Sequence, residues 1–444
     1  MIQKNYSKED IKRLVEENDV KFIRLQFVDI LGTLKNVAVT VDQLEKALNN
    51  DIIFDGSSIE GFIRSEEADM YLKPDLNTFE IFPWRPQQGK VARLICDIYK
   101  ADGTPFGGDP RLVLKNVINE AKEMGYEMHL GTEFEFFLFH TDENGNATTI
   151  THDKAGYFDL GPLDLGENVR RDMVLTLDNL GLEVEASHHE VAPGQHEIDL
   201  KATNALDAAD NIITFKLVLK VVAQRHGLHA TFMPKPIFGE NGAGMHSSLT
   251  LYNSNGENVF SNKEDALGLS KEAYYFIGGL LKHAKGLTAV TNPTINSYKR
   301  LVPGHEAPTL IGYSTSNSSQ LIRIPAARGN NASIELRSPD PSINPYLAIA
   351  GILKAGLDGI KNKIVPPKVM SYEELATKNF SILEEENRLP VNLKDALIAL
   401  SKDEVIKEAL GQCYDTFIKA KSIEWNEYSS IVHEWELNKY ISKY

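Results

Sequence analysis

Residues 131–139 read GTEFEFFLF, an alternating stretch in which two glutamates interrupt a run of phenylalanine. Side chains two apart in a strand point the same way, so Glu133 and Glu135 share one face while Phe134 and Phe136 take the other. On an exposed edge such a pair costs little; partly buried, each carboxylate costs several kcal/mol unless a positive charge compensates it. More acids recur in similar settings. In SHHEVAPGQHEIDL, Pro193-Gly194 makes a tight turn, so Glu190 and Glu197 lie on segments running up to it and away from it. His189-Glu190 has a superficial likeness to a zinc-protease helix, but the second histidine is wrongly spaced and Pro193 would break that helix. In SIELR, Glu335 and Arg337 share a face, and in NGAGMH a glycine-rich turn delivers His246. Singly, each is ordinary: a surface acid, a structural ion pair or a core histidine. Converging, five glutamates and one histidine would supply a mostly oxygen-lined site for two hard divalent cations, Mg2+ or Mn2+, and not for tetrahedral zinc. Such a pair of ions can clamp a polyphosphate and polarise a phosphoryl group in transfer. The sequence has no GxxxxGK[ST], so any nucleotide would be held without a P-loop.

The elements that must position these residues follow from periodicity. Ser7 with Asp10 forms a capping-box pattern that opens a helix through Glu17, and KFIRLQFV then alternates as a strand into a turn at Gly32. A compact α+β unit is expected to about residue 100, where DGTPFGGDPR concentrates the Gly, Pro and Asp of a domain junction. Beyond it, strand-like segments at 128–139, 183–191, 195–201, 229–233, 246–252, 321–325 and 333–337 alternate with long amphipathic helices, among them Asp207 to His226 and Asn344 to Lys363, the latter with Pro345 at its first turn. With 444 residues, 42% of them hydrophobic and 25% charged, the chain can bury a large core in two domains, placed at residues 1–103 and 104–444. Lys plus Arg 47 against Asp plus Glu 62 gives a net charge of -15, which disfavours a nucleic-acid partner. No apolar run approaches a membrane span, and only Cys96 and Cys413 are present, a pattern expected of a soluble cytoplasmic protein.

FDGSS at 54–58, KPIFGENGAGMH at 235–246, NPTINSYKRLVPGHEAP at 292–308 and NPYLAIAGILKAGLDGIKNK at 344–363 resemble bacterial type I glutamine synthetase, in its shorter, unadenylylated subgroup. The resemblance covers nearly the whole chain. It implies an α+β fold: a small amino-terminal β-grasp-like domain and a large catalytic α+β domain with an antiparallel sheet flanked by helices, assembled as a homo-dodecamer of two stacked hexamers with active sites between subunits. It also implies a reaction, in which ATP phosphorylates the γ-carboxylate of L-glutamate and ammonia displaces phosphate to give L-glutamine. By motif, Glu135, Glu190 and Glu197 resemble the ligands of one Mg2+ or Mn2+ on the glutamate side, and Glu133, His246 and Glu335 those of a second on the ATP phosphates. Two cations between the acids would cancel the repulsion within GTEFEFFLF. Asn241, Gly242, Arg300 and Arg337 look like glutamate-binding groups, with the arginines able to hold a carboxylate bidentately. Arg323 looks like the stabiliser of the transferred phosphoryl group, Glu306 like a flap carboxylate that closes over the acyl phosphate and takes a proton from ammonium, and Asp55 like an ammonium-binding group from a neighbouring subunit. Arg64 matches an arginine that this subgroup uses in feedback inhibition by glutamine.

Four departures surround the nucleotide. Ser318 and Ser333 stand where the family has arginines, His305 stands where an aromatic residue precedes the flap glutamate, and Ser248 and Thr250 alter the segment bordering the ATP pocket. Charge-assisted hydrogen bonds are worth about 1.5–3 kcal/mol each, so missing arginines bear on ATP more than on metals or glutamate. The missing arginines motivate one other reading, a glutamine synthetase-like assembly or regulatory protein with little or no turnover; a second, a γ-glutamylamide ligase using an organic amine, keeps the glutamate and metal sites, and the retained Asp55 and Glu306 favour ammonium over it.

Overall fold

The computed structural model describes residues 4–59, 61, 69–85, 88–315, 319–368 and 387–444. The expected capping box is present: Ser7 Oγ accepts from Asp10 N at 3.2 Å and Ser7 N donates to Asp10 Oδ2 at 3.0 Å, opening the helix Lys8–Glu17. A first sheet follows, of β1 (Val20–Val28), β2 (Leu34–Thr40), β3 (Ile52–Asp55), β4 (Asp69–Ile81) and β5 (Lys90–Lys100), in the order β2-β1-β5-β4-β3. The parallel β1–β5 pair lies at its centre, and alternation along the strands buries Ile23, Leu25, Leu72, Leu94 and Ile98 in a core of their own beneath that helix.

The second sheet carries the chemistry-bearing segments. It comprises β6 (Tyr126–Thr141), β7 (Ala147–Thr151), β8 (Val184–His189), β9 (Gln195–Asn204), β10 (Leu228–Thr231), β11 (Met245–Asn253), β12 (Leu310–Ser314), β13 (Gln320–Arg323) and β14 (Ile334–Leu336). The order is β12-β13-β14-β11-β6-β9-β8, with β7 and β10 also pairing with β6, and every pair is antiparallel except β12–β13. One face is apolar: Phe134, Phe136, Ile198, Met245 and Leu249 share one buried core with residues of the helix Ala205–Arg225, the Phe134 and Phe215 rings lying 4.6 Å apart. Each such side chain contributes about 1.5–3 kcal/mol on burial. That helix begins two residues before the expected Asp207, because the Asn204 side chain caps it by accepting from Asp207 N at 3.0 Å. The helix Pro345–Asn362 starts as its proline requires and ends where Lys363 turns left-handed at φ 50.

The junction DGTPFGGDPR leads from β5 into the helix Pro110–Glu123, capped by Asp109. Its second residue, Arg111, ties the two sheets together. Buried to 3% side-chain exposure, its guanidinium donates to Asp210 of the helix Ala205–Arg225 at 3.0 and 2.7 Å and to Asp97 at 2.8 Å and Asp75 at 2.9 Å on the first sheet.

Candidate active site

Strand register alone assembles most of the site on the polar face of the second sheet. In the β6–β9 ladder Glu135 stands opposite Glu197 and Glu133 opposite Asp199; in the β6–β11 ladder Glu133 stands opposite His246. Ser248, two residues beyond His246, stands opposite Glu335, which in turn faces Arg323 across β13–β14. A cavity of about 540 Å³ opens over this face. It is lined by all six expected metal ligands, by Arg300, Arg323, Arg337, Asn241, Gly242 and Glu306, and by Tyr157, Gln195 and His305.

Glu133, His246 and Glu335 bring one potential ligand atom each within 4.8 Å of one another. His246 Nδ1 lies 3.1 Å from Glu133 Oε2 and 3.8 Å from Glu335 Oε1. Glu335 is 2% exposed, pairs with Arg323 through Oε2, and leaves Oε1 buried without a hydrogen-bond partner among the described residues. Arg337 Nη1 lies 3.6 Å from that oxygen, too far for a hydrogen bond; a buried carboxylate oxygen without one is costly, and a divalent cation would satisfy it.

On the other side of His246 the acids lack compensation. Burial first, and then the neighbouring Glu135 charge, raise the Glu197 carboxyl to about 11 and the Glu190 carboxyl to about 8. Burial likewise raises Asp199 to about 6, whereas Glu133, although also desolvated, is held below the usual range by its hydrogen bond to His246 and by Arg323. Carboxyls that hold protons near neutrality are poised to exchange them for a cation. This oxygen-rich donor set fits Mg2+ or Mn2+.

Three residues near these acids escaped the sequence reading. Asp199 falls two places beyond Glu197, so the alternation that paired Glu133 with Glu135 would have placed it on the same face. His188 groups with Glu197 and Asp199 within 4.8 Å and lies 3.6 Å from Glu190 Oε1. Gln195 donates from Nε2 to Glu135 Oε2 at 2.7 Å, a contact that becomes legible only once the strands are paired. Behind the acids, Asp153, Asp164, His189 and His196 form a fully buried cluster with cation-ligand spacing. The Arg170 guanidinium already supplies its positive charge, 2.8 Å from Asp164 Oδ2 and 2.9 Å from His196 Nδ1.

The substrate-side groups are held by the backbone. Arg300, 2% exposed, donates from Nη1 to Ser338 O at 2.8 Å and Pro339 O at 3.3 Å, and from Nη2 to Arg337 O at 3.1 Å, so much of its guanidinium braces the chain beside Arg337. Glycine is required at 242 and 244, where a Cβ would meet Pro234 O at 2.4 Å and Arg300 Nη2 at 2.5 Å. The flap reaches over the cavity: Asn241 Nδ2 donates to Glu306 Oε2 at 3.1 Å, and Glu306 adopts φ 54, a left-handed conformation that costs a non-glycine residue about 1–3 kcal/mol. Ser248 and Thr250 lie half-buried further along the same face of β11, outside the cavity lining. Asp55 is not brought to this cavity; it ends β3 on the other sheet, exposed, its carboxylate accepting from Ser57 N at 2.8 Å. Ser333 is half-buried just before β14, while Arg64 and Ser318 lie outside the described residues.

A two-sheet protein whose larger sheet carries a carboxylate-lined, cation-seeking cavity bordered by arginines is built for phosphoryl chemistry on an anionic substrate. Comparison with known proteins names the family. Residues 19–101 match the glutamine synthetase β-grasp domain and residues 107–440 the glutamine synthetase catalytic domain. The chain is 60% identical to a glutamine synthetase of Clostridium saccharobutylicum, over 99% of each chain, and 55% identical to one of Staphylococcus aureus strain Mu50, over 100% of each. Among solved structures it superposes on a GmaS complex with ADP at a TM-score of 0.89, 35% identity and coverage of 98% of this chain and 99% of that one. It also superposes on the Plasmodium falciparum glutamine synthetase at 0.87 and 28% identity, covering 99% of this chain and 100% of that one. The chain belongs to the glutamine synthetase family.

Proposed function

We propose that this protein uses ATP to ligate ammonia to L-glutamate, giving L-glutamine by way of γ-glutamyl phosphate. The observation that carries the proposal is the register of one sheet, which sets Glu133, Glu135, Glu197, His246, Glu335 and Arg323 on one face beneath a single cavity. Two Mg2+ or Mn2+ ions would sit there, one held by Glu133, His246 and Glu335 and one by Glu135, Glu190 and Glu197; when bound they neutralise phosphate charge and polarise the transferring group. The protein's own groups do the rest. Arg337 and the Asn241-Gly242 turn orient glutamate, while Arg300 holds the backbone at 337–339 that positions Arg337. Arg323, ion-paired with Glu335, meets the negative charge that grows on the phosphoryl oxygens. Glu306 closes the cavity against water, which would otherwise hydrolyse the acyl phosphate, and accepts a proton from ammonium.

We place the catalytic domain at 104–444 and the β-grasp-like domain at 1–103. We further propose the homo-dodecamer of two stacked hexamers, since Asp55, exposed on the other sheet and not part of the lining of its own chain's cavity, serves an ammonium site there if a neighbouring subunit delivers it. Among the described residues no helix is long and apolar enough to cross a membrane, and the two cysteines are unpaired, in keeping with a reducing cytoplasm. The test is product formation by purified protein from ATP, glutamate and ammonium with Mg2+ or Mn2+. Absence of both glutamine and γ-glutamyl hydroxamate under every metal condition refutes the assignment, and faster turnover of a small organic amine than of ammonium redirects it to amide ligation.

A further inference from the structure

Gln195 is 1% exposed, and its side-chain amide bonds to all three site segments that meet there. Its Oε1 accepts from Ala192 N at 3.1 Å, in the Pro193-Gly194 turn that separates Glu190 from Glu197. Its Nε2 donates both hydrogens: one to Glu135 Oε2 at 2.7 Å, the other to Gly242 O at 3.2 Å. The amide cannot be flipped, because both partners of Nε2 are acceptors and the partner of Oε1 is a donor. Its main chain is fixed too, donating to Ala192 O at 3.0 Å and accepting from Glu190 N at 2.8 Å.

We propose that Gln195 is a positioning residue that couples the cation site to the glutamate site, an inference that rests on the function proposed above. By holding Oε2 of Glu135 it leaves Oε1 as the oxygen that faces the cavity, 3.9 Å from His246 Nε2. Glu135 is thereby fixed to ligate through one oxygen in a set orientation. The second hydrogen of the same amide holds the Gly242 carbonyl, and with it the Asn241-Gly242 turn whose other end reaches Glu306. A shift of Glu135 is therefore transmitted through one rigid amide to the turn that receives glutamate. An outer partner of a metal ligand typically accounts for about 10–100-fold in metal affinity or activity. Gln195 differs from an ordinary outer partner in that the same change must weaken the amino-acid site.

The experiment uses the full-length protein and Gln195→Met, which keeps the length of the side chain and removes its donors. Mn2+ binding is titrated without substrates, and half-saturating glutamate and ATP are measured separately in the glutamine assay. The expected result is Mn2+ affinity lowered about 10–100-fold, half-saturating glutamate raised severalfold, and half-saturating ATP within twofold of the parent at saturating Mn2+. Mn2+ titration of Glu135→Met, which leaves no acceptor for Gln195 Nε2, and of the double variant completes a cycle: the two changes must be non-additive, since each breaks the same bond. Additive losses, or Mn2+ and glutamate values within twofold of the parent, overturn the proposal. If Gln195→Met does not fold, Gln195→Asn, one methylene too short to span the three partners, is put through the same titrations and judged by the same criteria. A parent protein that makes no glutamine defeats the proposed function, whereas the Mn2+ cycle still decides whether Gln195 fixes Glu135.

Discussion

Cation binding should expel protons, and the structure sets how many. Without a cation, the Glu190 carboxyl is raised to about 8 and that of Glu197 to about 11, by burial and then by the Glu135 charge. The two sit among coupled acids, so their protons leave in steps that belong to the set and not to single residues. Asp199, raised only to about 6, has already given up most of its proton at pH 7. Saturating the cavity at pH 7 should therefore release close to two protons, and apparent affinity should rise by roughly 100-fold per pH unit just around neutrality, falling to roughly 10-fold per unit once Glu190 has ionised. Titration calorimetry with Mn2+ in buffers of different ionisation enthalpy reads the proton count directly from the slope of heat against buffer enthalpy. Release of fewer than half a proton, or an affinity flat between pH 6.5 and 7.5, would refute the claim that these carboxyls are protonated in the cation-free protein.

The same residues dictate how stability varies with pH. A carboxyl whose folded pKa is raised binds more protons folded than unfolded, so the cation-free fold should lose stability as pH climbs from about 4.5, the ordinary value, through about 8 and beyond; thermal melts should fall across this window and flatten when Mg2+ or Mn2+ is added. At the domain junction, Arg111→Met removes the buried cation from Asp210 and Asp97, leaving Tyr346 on the first and Lys115 on the second, and should cost about 3–5 kcal/mol in denaturant unfolding, whereas Arg13→Met at an exposed helix pair should leave the transition nearly unmoved. At the nucleotide end, Ser333→Arg should lower half-saturating ATP by roughly 10-fold or more if a missing charge-assisted contact limits phosphoryl transfer; no change would mean that another group has taken over.

Local pattern went far in this chain. Alternation placed Glu133 and Glu135 on one strand face, proline and glycine located the turn between Glu190 and Glu197, and the capping residues marked the helices at Ser7 and Pro345, because these features depend on neighbours a few residues away. The motifs and their resemblance carried the six expected ligands into one group before any strand was paired. Tertiary structure decided what only pairing can decide: that Glu335 faces Arg323 and Ser248, that Asp199 joins the acids opposite Glu133, that Gln195 reaches both Glu135 and Gly242, and that Asp55 stays away from its own chain's cavity. Register sets which side chains meet across strands far apart in sequence, and burial sets whether an acid there is a solvated charge or a protonated group waiting for a cation; neither is a property of any short stretch of residues.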